Sequence, residues 1–240
     1  RYGIWRTDLG MEKGYEIIEN FLTEEEHKYY LEVCDEVYQN AQGKEHDKEN
    51  YSWNEKGNLN KVQGACNHDT RFLDLASHKS LTSFAKKYLD TQDTIDVYIS
   101  KFFPMKPQTG WSTFMHQDNY YFNGDPSKII SCAVYLEDTT KQNGCLRLAK
   151  KSHKHGVLPH EVESGIEGIR WIDDDILKEY DIIDLEMKAP YAVFFDINMV
   201  HGCYPNKSDT TRYSLAWEYI ETSNQDVVMS EDKWCDRNTI

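Results

Sequence analysis

The chain has 240 residues, a formal charge of −14, and an aromatic complement of 16 Tyr, 9 Phe and 6 Trp. An acidic excess of this size leaves no surplus of Lys and Arg to neutralise phosphates, which argues against nucleic-acid and anionic-membrane partners. The length favours one large domain with a sizeable core, and no apolar run approaches the ~18 residues of a membrane-spanning helix. Because the sequence begins at Arg1 rather than Met, it says nothing of a preceding targeting segment.

In chain order, Tyr15 to Leu22 reads as a strand-like run. Thr23 followed by Glu26 is a capping box, and Tyr30, Val33, Cys34 and Val37 recur at helical spacing, so a helix is expected to end between Asn40 and Gly43. Residues 42–70 are polar and irregular, a long loop with short strands of the kind that covers a site. Phe72, Leu75, Leu81, Phe84, Ala85 and Tyr88 predict a second helix over residues 71–90. Residues 94–103 alternate as a strand, which Pro104, Pro107 and Gly110 are expected to break.

Residues 111–118 are then extended, Gly124-Asp125-Pro126 is a turn, and Ile129 to Leu136 is a strand. A turn at Lys141 to Gly144 leads to a short strand over 145–148. Residues 149–188 are polar, with a short helix near 173–180. Tyr191 to Asp196 is a strand apolar on both faces, Thr211 to Ile220 is another, and 222–240 is a polar tail with Trp234 tucked back. Helices first and strands later predict an α+β chain, mainly β: a sandwich or barrel buttressed by N-terminal helices.

The six cysteines, at 34, 66, 132, 145, 203 and 235, form no C-x-x-C pair, so a structural zinc ribbon is not expected. Reduced thiols in an intracellular, cytoplasmic protein are the expectation.

The chemistry concentrates in Met115-His116-Gln117-Asp118-Asn119-Tyr120-Tyr121. On an extended segment residues i and i+2 share a face, so His116 and Asp118 can share one cation while Gln117 points away. His201, after the apolar run Tyr191 to Phe195, supplies a third ligand. Two His and one carboxylate with open positions is the facial triad of non-heme Fe(II) oxygenases. A 2-oxo acid co-substrate then needs a fixed cation for its far carboxylate. Arg212 opens the next predicted strand, and Ser214 has the same facing. Tyr120, Tyr121 and Phe122 follow the ligands and either line the substrate pocket or pack in the core. His46-Asp47 and His68-Asp69 have i,i+1 spacing and read as solvated pairs, and His153 and His155 are not expected to hold a second metal.

The ordered set resembles the phytanoyl-CoA dioxygenase family of Fe(II)/2-oxoglutarate oxygenases over roughly residues 94–220. The matching pieces are Lys106-Pro107, His116-Gln117-Asp118, Tyr120-Tyr121-Phe122, Leu136-Glu137-Asp138, Asn143-Gly144-Cys145-Leu146, Lys151-Ser152-His153-Lys154, His201-Gly202 and Arg212. The resemblance implies a double-stranded β-helix, a cupin-like jelly-roll with the metal at one mouth. Helical support is expected over 1–93, the jelly-roll core over 94–220 and a tail over 221–240, all in a single domain. It implies Fe(II) on His116, Asp118 and His201, 2-oxoglutarate on Arg212 with Lys106 as a further contact, and O2 as oxidant. The implied reaction hydroxylates, cyclises or desaturates an unactivated C–H of a small molecule, with release of succinate and CO2. Asp118 separates this set from related halogenases, which lack the carboxylate. Where the family often has Ser two residues after the distal His, this chain has Cys203. A protein or peptide side-chain hydroxylase, or a jelly-roll binding module that keeps the metal without turnover, is the alternative.

Overall fold

The computed structural model describes residues 11–109, 112–122, 124–163, 170–225 and 236–240. The N-terminal part contains β1 (Tyr15–Glu19), α1 (Glu24–Ala41), β2 (Tyr51–Trp53), β3 (Leu59–Gln63), α2 (Ala65–His68), α3 (Thr70–Ala76) and α4 (Lys79–Leu89). There follow β4 (Ile95–Met105), β5 (Thr113–His116), α5 (Asn119–Phe122), β6 (Ile129–Tyr135) and β7 (Leu146–Ala149). The remainder is β8 (Glu161–Val162), β9 (Arg170–Trp171), α6 (Asp174–Leu177), β10 (Ile182–Asp184), β11 (Tyr191–Asp196), β12 (His201–Cys203), β13 (Arg212–Glu221) and β14 (Arg237–Thr239).

Two antiparallel sheets form a double-stranded β-helix. The major sheet runs β1-β11-β6-β13-β4-β3-β2 with β14 also on β4, and the minor sheet runs β10-β7-β12-β5. The period of two along β13 sorts its side chains. Tyr213, Leu215 and Trp217 face the helices and pack with Val33, Phe72 and Leu81. Ala216 faces the other way, toward the apolar layer of Ala133, Tyr135, Leu146, Leu148, Val193 and Phe195 between the sheets. By the same alternation Arg212, Ser214 and Glu218 face that inner space. Burying both faces of β6 and β11 explains why all of Ile129–Tyr135 and Tyr191–Asp196 is buried.

The capping box at the start of α1 forms as expected: Glu26 N donates to Thr23 Oγ1 at 3.2 Å, and Thr23 N donates to the Glu26 carboxylate at 2.8 Å. The single helix expected over 71–90 is two. The break falls at Ser77-His78, where the His78 ring accepts from Ser80 N at 3.3 Å and starts α4 as its N-cap. An amphipathic period continues across such a break, so apolar spacing alone does not reveal it.

Pro104 does not end β4. On the side opposite β13, β3 pairs only Lys101 and Phe102, so Pro104 sits where the strand has β13 as neighbour and its missing N–H is tolerated. Residues 1–93 give more than helical support, because β1 pairs β11 and β3 pairs β4. The expected polar tail also returns to the sheet. Arg237, Asn238 and Thr239 pair with Tyr98, Val97 and Asp96, and Ser100 N donates to Asp236 Oδ1 at 2.7 Å. Trp234 and Cys235 lie outside the described residues. Cys34, Cys66, Cys132, Cys145 and Cys203 are free thiols, and no described helix is long and apolar enough to cross a membrane.

Candidate metal centre and its pocket

β5 and β12 are antiparallel neighbours in the minor sheet, and His201 is the register partner of His116. Side chains of directly opposed residues meet on one face, which sets the two imidazole centroids 4.4 Å apart. Each ring is oriented from behind. His116 Nδ1 lies 2.8 Å from Phe114 O and His201 Nδ1 lies 3.0 Å from Met199 O. A carbonyl only accepts, so both rings carry their proton on Nδ1 and turn the Nε2 lone pair to the same point.

Asp118 follows β5 at the entrance to α5 and aims Oδ1 at that point. It lies 3.6 Å from His116 Nε2 and 3.7 Å from His201 Nε2. The other oxygen, Oδ2, accepts from Ser131 Oγ at 2.7 Å. Gln117 faces away and is fully buried; its amide donates to Gly156 O and Asn198 O and accepts from Leu158 N. That clamp fixes the backbone between the two ligands.

The three ligand atoms lie within 4.8 Å of one another. Burial disfavours the imidazolium of His201 and pushes its pKa down to about 4. Burial alone would raise the Asp118 carboxyl. Positive charge on the His201 and His116 rings whenever they are protonated, together with that of Lys101, outweighs this and holds it below the usual carboxylate range. Neutral imidazoles with free Nε2 lone pairs and an ionised carboxylate are the protonation states a divalent cation needs. One carboxylate oxygen and two nitrogens, with no thiolate, suit Fe(II).

Arg212 is buried at 2% exposure. Its Nε has no hydrogen-bond partner among the described residues, one terminal nitrogen rests on Met105 Sδ, and its guanidinium lies 5.2 Å from the Tyr135 ring centroid. No carboxylate forms an ion pair with it among the described residues. A buried guanidinium without an anion is costly, so this cradle fits the far carboxylate of a 2-oxo diacid. Ser214, also buried, lies two residues along on the same face of β13.

Lys106 is not in this pocket. It lies one residue past β4, on the helix-facing side, where Nζ donates to Tyr213 Oη, sits 3.5 Å from Asp35 and stacks 4.4 Å from the Tyr38 ring. The inward lysine of β4 is Lys101, whose Nζ is 3.3 Å from Glu218 Oε1. An offset of five residues reverses strand parity, and this separates the two lysines.

Tyr121 keeps its ring 6.4 Å from that of His116, Tyr120 is partly exposed and stacks 4.4 Å from His160, and Phe122 packs into the core with Tyr98 and Ile129. Phe114 shares the His116 face of β5, is 56% exposed and meets Trp171 at 6.1 Å. A groove of about 560 Å³ runs beside this mouth, on the outer side of the minor sheet. It touches Phe114 and Trp171 but none of the three ligands. His68-Asp69 is not a solvated pair either, because Asp69 caps α3 and pairs with Arg71 at 2.7 Å.

Sequence reasoning missed Lys101, Ser131 and Glu218. Each is a lone polar residue inside an otherwise apolar strand. Such a residue must find a partner or a use when buried, and that was the available signal.

The phytanoyl-CoA dioxygenase family model matches residues 11–214. A phytanoyl-CoA dioxygenase of Arabidopsis thaliana is 26% identical over 183 residues, covering 75% of this chain and 62% of that protein. A probable alpha-ketoglutarate-dependent hypophosphite dioxygenase of Stutzerimonas stutzeri is 25% identical over 220 residues, covering 87% and 75%. The chain spans about half the length of several of the curated relatives it matches. In three dimensions it is similar to EctD from S. alaskensis solved with bound Fe. The TM-score is 0.75 at 17% identity, over 94% of this chain and 79% of that one.

Proposed function

The chain belongs to the phytanoyl-CoA dioxygenase family, and from that premise we propose that it is a non-heme Fe(II)- and 2-oxoglutarate-dependent dioxygenase that oxidises an unactivated C–H bond of an organic small molecule. The convergence of His116, Asp118 and His201 within 4.8 Å carries this reading. When bound, Fe(II) with 2-oxoglutarate and O2 supplies oxidative decarboxylation to succinate and CO2, coupled to substrate oxidation.

The chain's own residues bind and orient. His116 and His201 are held in one tautomer by backbone carbonyls, and Asp118 supplies the single negative charge. Arg212, at the inner end of β13, is positioned for the distal carboxylate of 2-oxoglutarate, with Ser214 beside it. Lys101 places a second cation on the inner face, paired with Glu218. Phe114, Trp171 and Tyr121 line the mouth and offer apolar surface to the body of an organic substrate. This exposed aromatic rim favours a carbon skeleton over a small inorganic anion such as hypophosphite.

The test is anaerobic titration of the purified protein with Fe(II) and 2-oxoglutarate. A weak visible charge-transfer band is expected, and it should vanish in His116→Ala and Asp118→Ala. Absence of a band in the wild type, together with no succinate release from 2-oxoglutarate, would reject the reading.

A further inference from the structure

We propose that Ser131 is a positioning residue that makes Asp118 a one-oxygen ligand and so keeps a coordination position open; the inference rests on the iron and 2-oxoglutarate reading above. Ser131 lies in the middle of β6 and is buried at 2% exposure. Its hydroxyl has one proton and donates it to Asp118 Oδ2 at 2.7 Å. Only Oδ1 is left facing the Nε2 atoms of His116 and His201, at 3.6 and 3.7 Å.

The orientation matters because of how many positions the chemistry needs. Three protein atoms on one face of a six-coordinate cation leave three. A 2-oxo acid chelate takes two, and dioxygen needs the third. A carboxylate free to rotate can bind through both oxygens and fill one of them. A hydrogen bond to Oδ2 opposes that rotation.

The same strand pair protects the hydrogen bond. Glu218 on β13 is the direct cross-strand partner of Ser131 and is buried at 2% exposure. It could compete for the serine proton, but one of its oxygens is engaged by Lys101 Nζ at 3.3 Å. Burial and the neighbouring Asp118 charge also disfavour a second free carboxylate there, and burial foremost raises the Glu218 pKa to about 8. The Ser131 hydroxyl donates to Asp118 and not to Glu218, whose Oε2 has no hydrogen-bond partner among the described residues.

Three variants of the whole chain test this: Ser131→Ala, Ser131→Cys and Ser131→Thr. Co(II) is titrated into metal-free protein and followed by its d–d absorption, and 2-oxoglutarate is then titrated into the anaerobic Fe(II) form. Ser131→Ala and Ser131→Cys lack a strong donor and should bind Co(II) about tenfold more weakly. They should also need several-fold more 2-oxoglutarate for half of the visible band, and Ser131→Thr should recover both. Ser131→Cys nearly conserves volume, so it answers the question even if the alanine variant folds poorly. Wild-type Co(II) affinity and wild-type 2-oxoglutarate demand in the folded alanine or cysteine variant would overturn the proposal. A wild type that shows no band at all would instead overturn the iron reading on which it rests.

Discussion

His116 and His201 are register partners on β5 and β12, so the separation of the two strands sets the separation of the two imidazoles. Metal affinity is therefore coupled to the geometry of the minor sheet. We expect His201→Ala to abolish saturable Fe(II) or Co(II) binding at micromolar metal while leaving the fold intact. His201 is buried without being part of the main apolar clusters. Isothermal titration with Co(II), alongside a far-UV melt, checks both halves of that statement.

Arg212 makes an opposite pair of demands on stability and binding. Its guanidinium is buried beside Tyr135 with no carboxylate partner among the described residues, and an unpaired buried charge costs stability. Arg212→Met should therefore be at least as stable as the wild type without ligand. It should need roughly ten- to a hundredfold more 2-oxoglutarate, the loss expected for a charge-assisted hydrogen bond. Melting curves with and without 2-oxoglutarate decide the matter, because ligand stabilisation scales with occupancy. A wild-type shift in Tm for the variant would remove Arg212 from the co-substrate site.

The two lysines of the β4 region separate cleanly. Lys106 touches Asp35, Tyr38 and Tyr213 against α1. Lys106→Met should cost on the order of 1 kcal/mol in unfolding free energy, the sum expected of a part-exposed ion pair and a cation–π contact, and should leave the 2-oxoglutarate requirement unchanged. Lys101→Met removes the partner of buried Glu218 and should destabilise more than Lys106→Met. Urea unfolding of both variants, compared with their band titrations, distinguishes the two positions.

These lysines also show where sequence reasoning stops. The convergence of His116, Asp118 and His201 was legible because H-x-D fixes its own facing on an extended segment and His201 follows in order. The helix capped by Thr23, the fully buried Tyr191–Asp196 strand and the jelly-roll were legible from pattern and resemblance. Lys106 was misplaced because one residue of register reverses a strand's facing, and Pro104 hid the fact that β4 runs on to Met105. The pairing of Arg237–Thr239 with β4 is a contact between distant segments, and a short polar strand carries no periodic signal of it. Ser131 and Glu218 announced themselves only as polar residues in apolar strands. Their partners depend on which strands are neighbours.

Acid should weaken the fold through His153. This ring is buried in the turn after β7, packed close to Gly14, and burial pushes its pKa down to about 4. The unfolded chain takes up that proton near 6.5, so between about 6.5 and 4 the unfolded state binds more protons and stability falls as pH falls. Asp196 opposes this. Burial raises its carboxyl to about 7, so its contribution is present at low pH and is lost as pH rises through 7. His153→Gln should flatten the decline of Tm between pH 6.5 and 4 and leave the neutral-to-alkaline limb unchanged. An identical slope in the variant would assign the acid limb to other groups.

Gly202 sits where β12 and β5 pack most tightly beside the candidate metal site. A Cβ there would stand 2.7 Å from the Thr113 carbonyl oxygen and 3.0 Å from Met115 Sδ. Its backbone is in an ordinary region, so the restriction is space between β12 and β5 and not conformation. An added methyl must push the two strands apart, and overpacking of this kind costs about 1–3 kcal/mol. The displacement falls between the residue following His201 and the strand that ends in His116. Gly202→Ala should therefore lose metal affinity out of proportion to its loss of stability. Ala85→Gly, buried in α4 in the helix-facing cluster away from β5 and β12, provides the contrast, since it should lower Tm with little change in Co(II) affinity. Equal Co(II) affinities for both variants at matched stability would show that the β5–β12 spacing does not set the metal site.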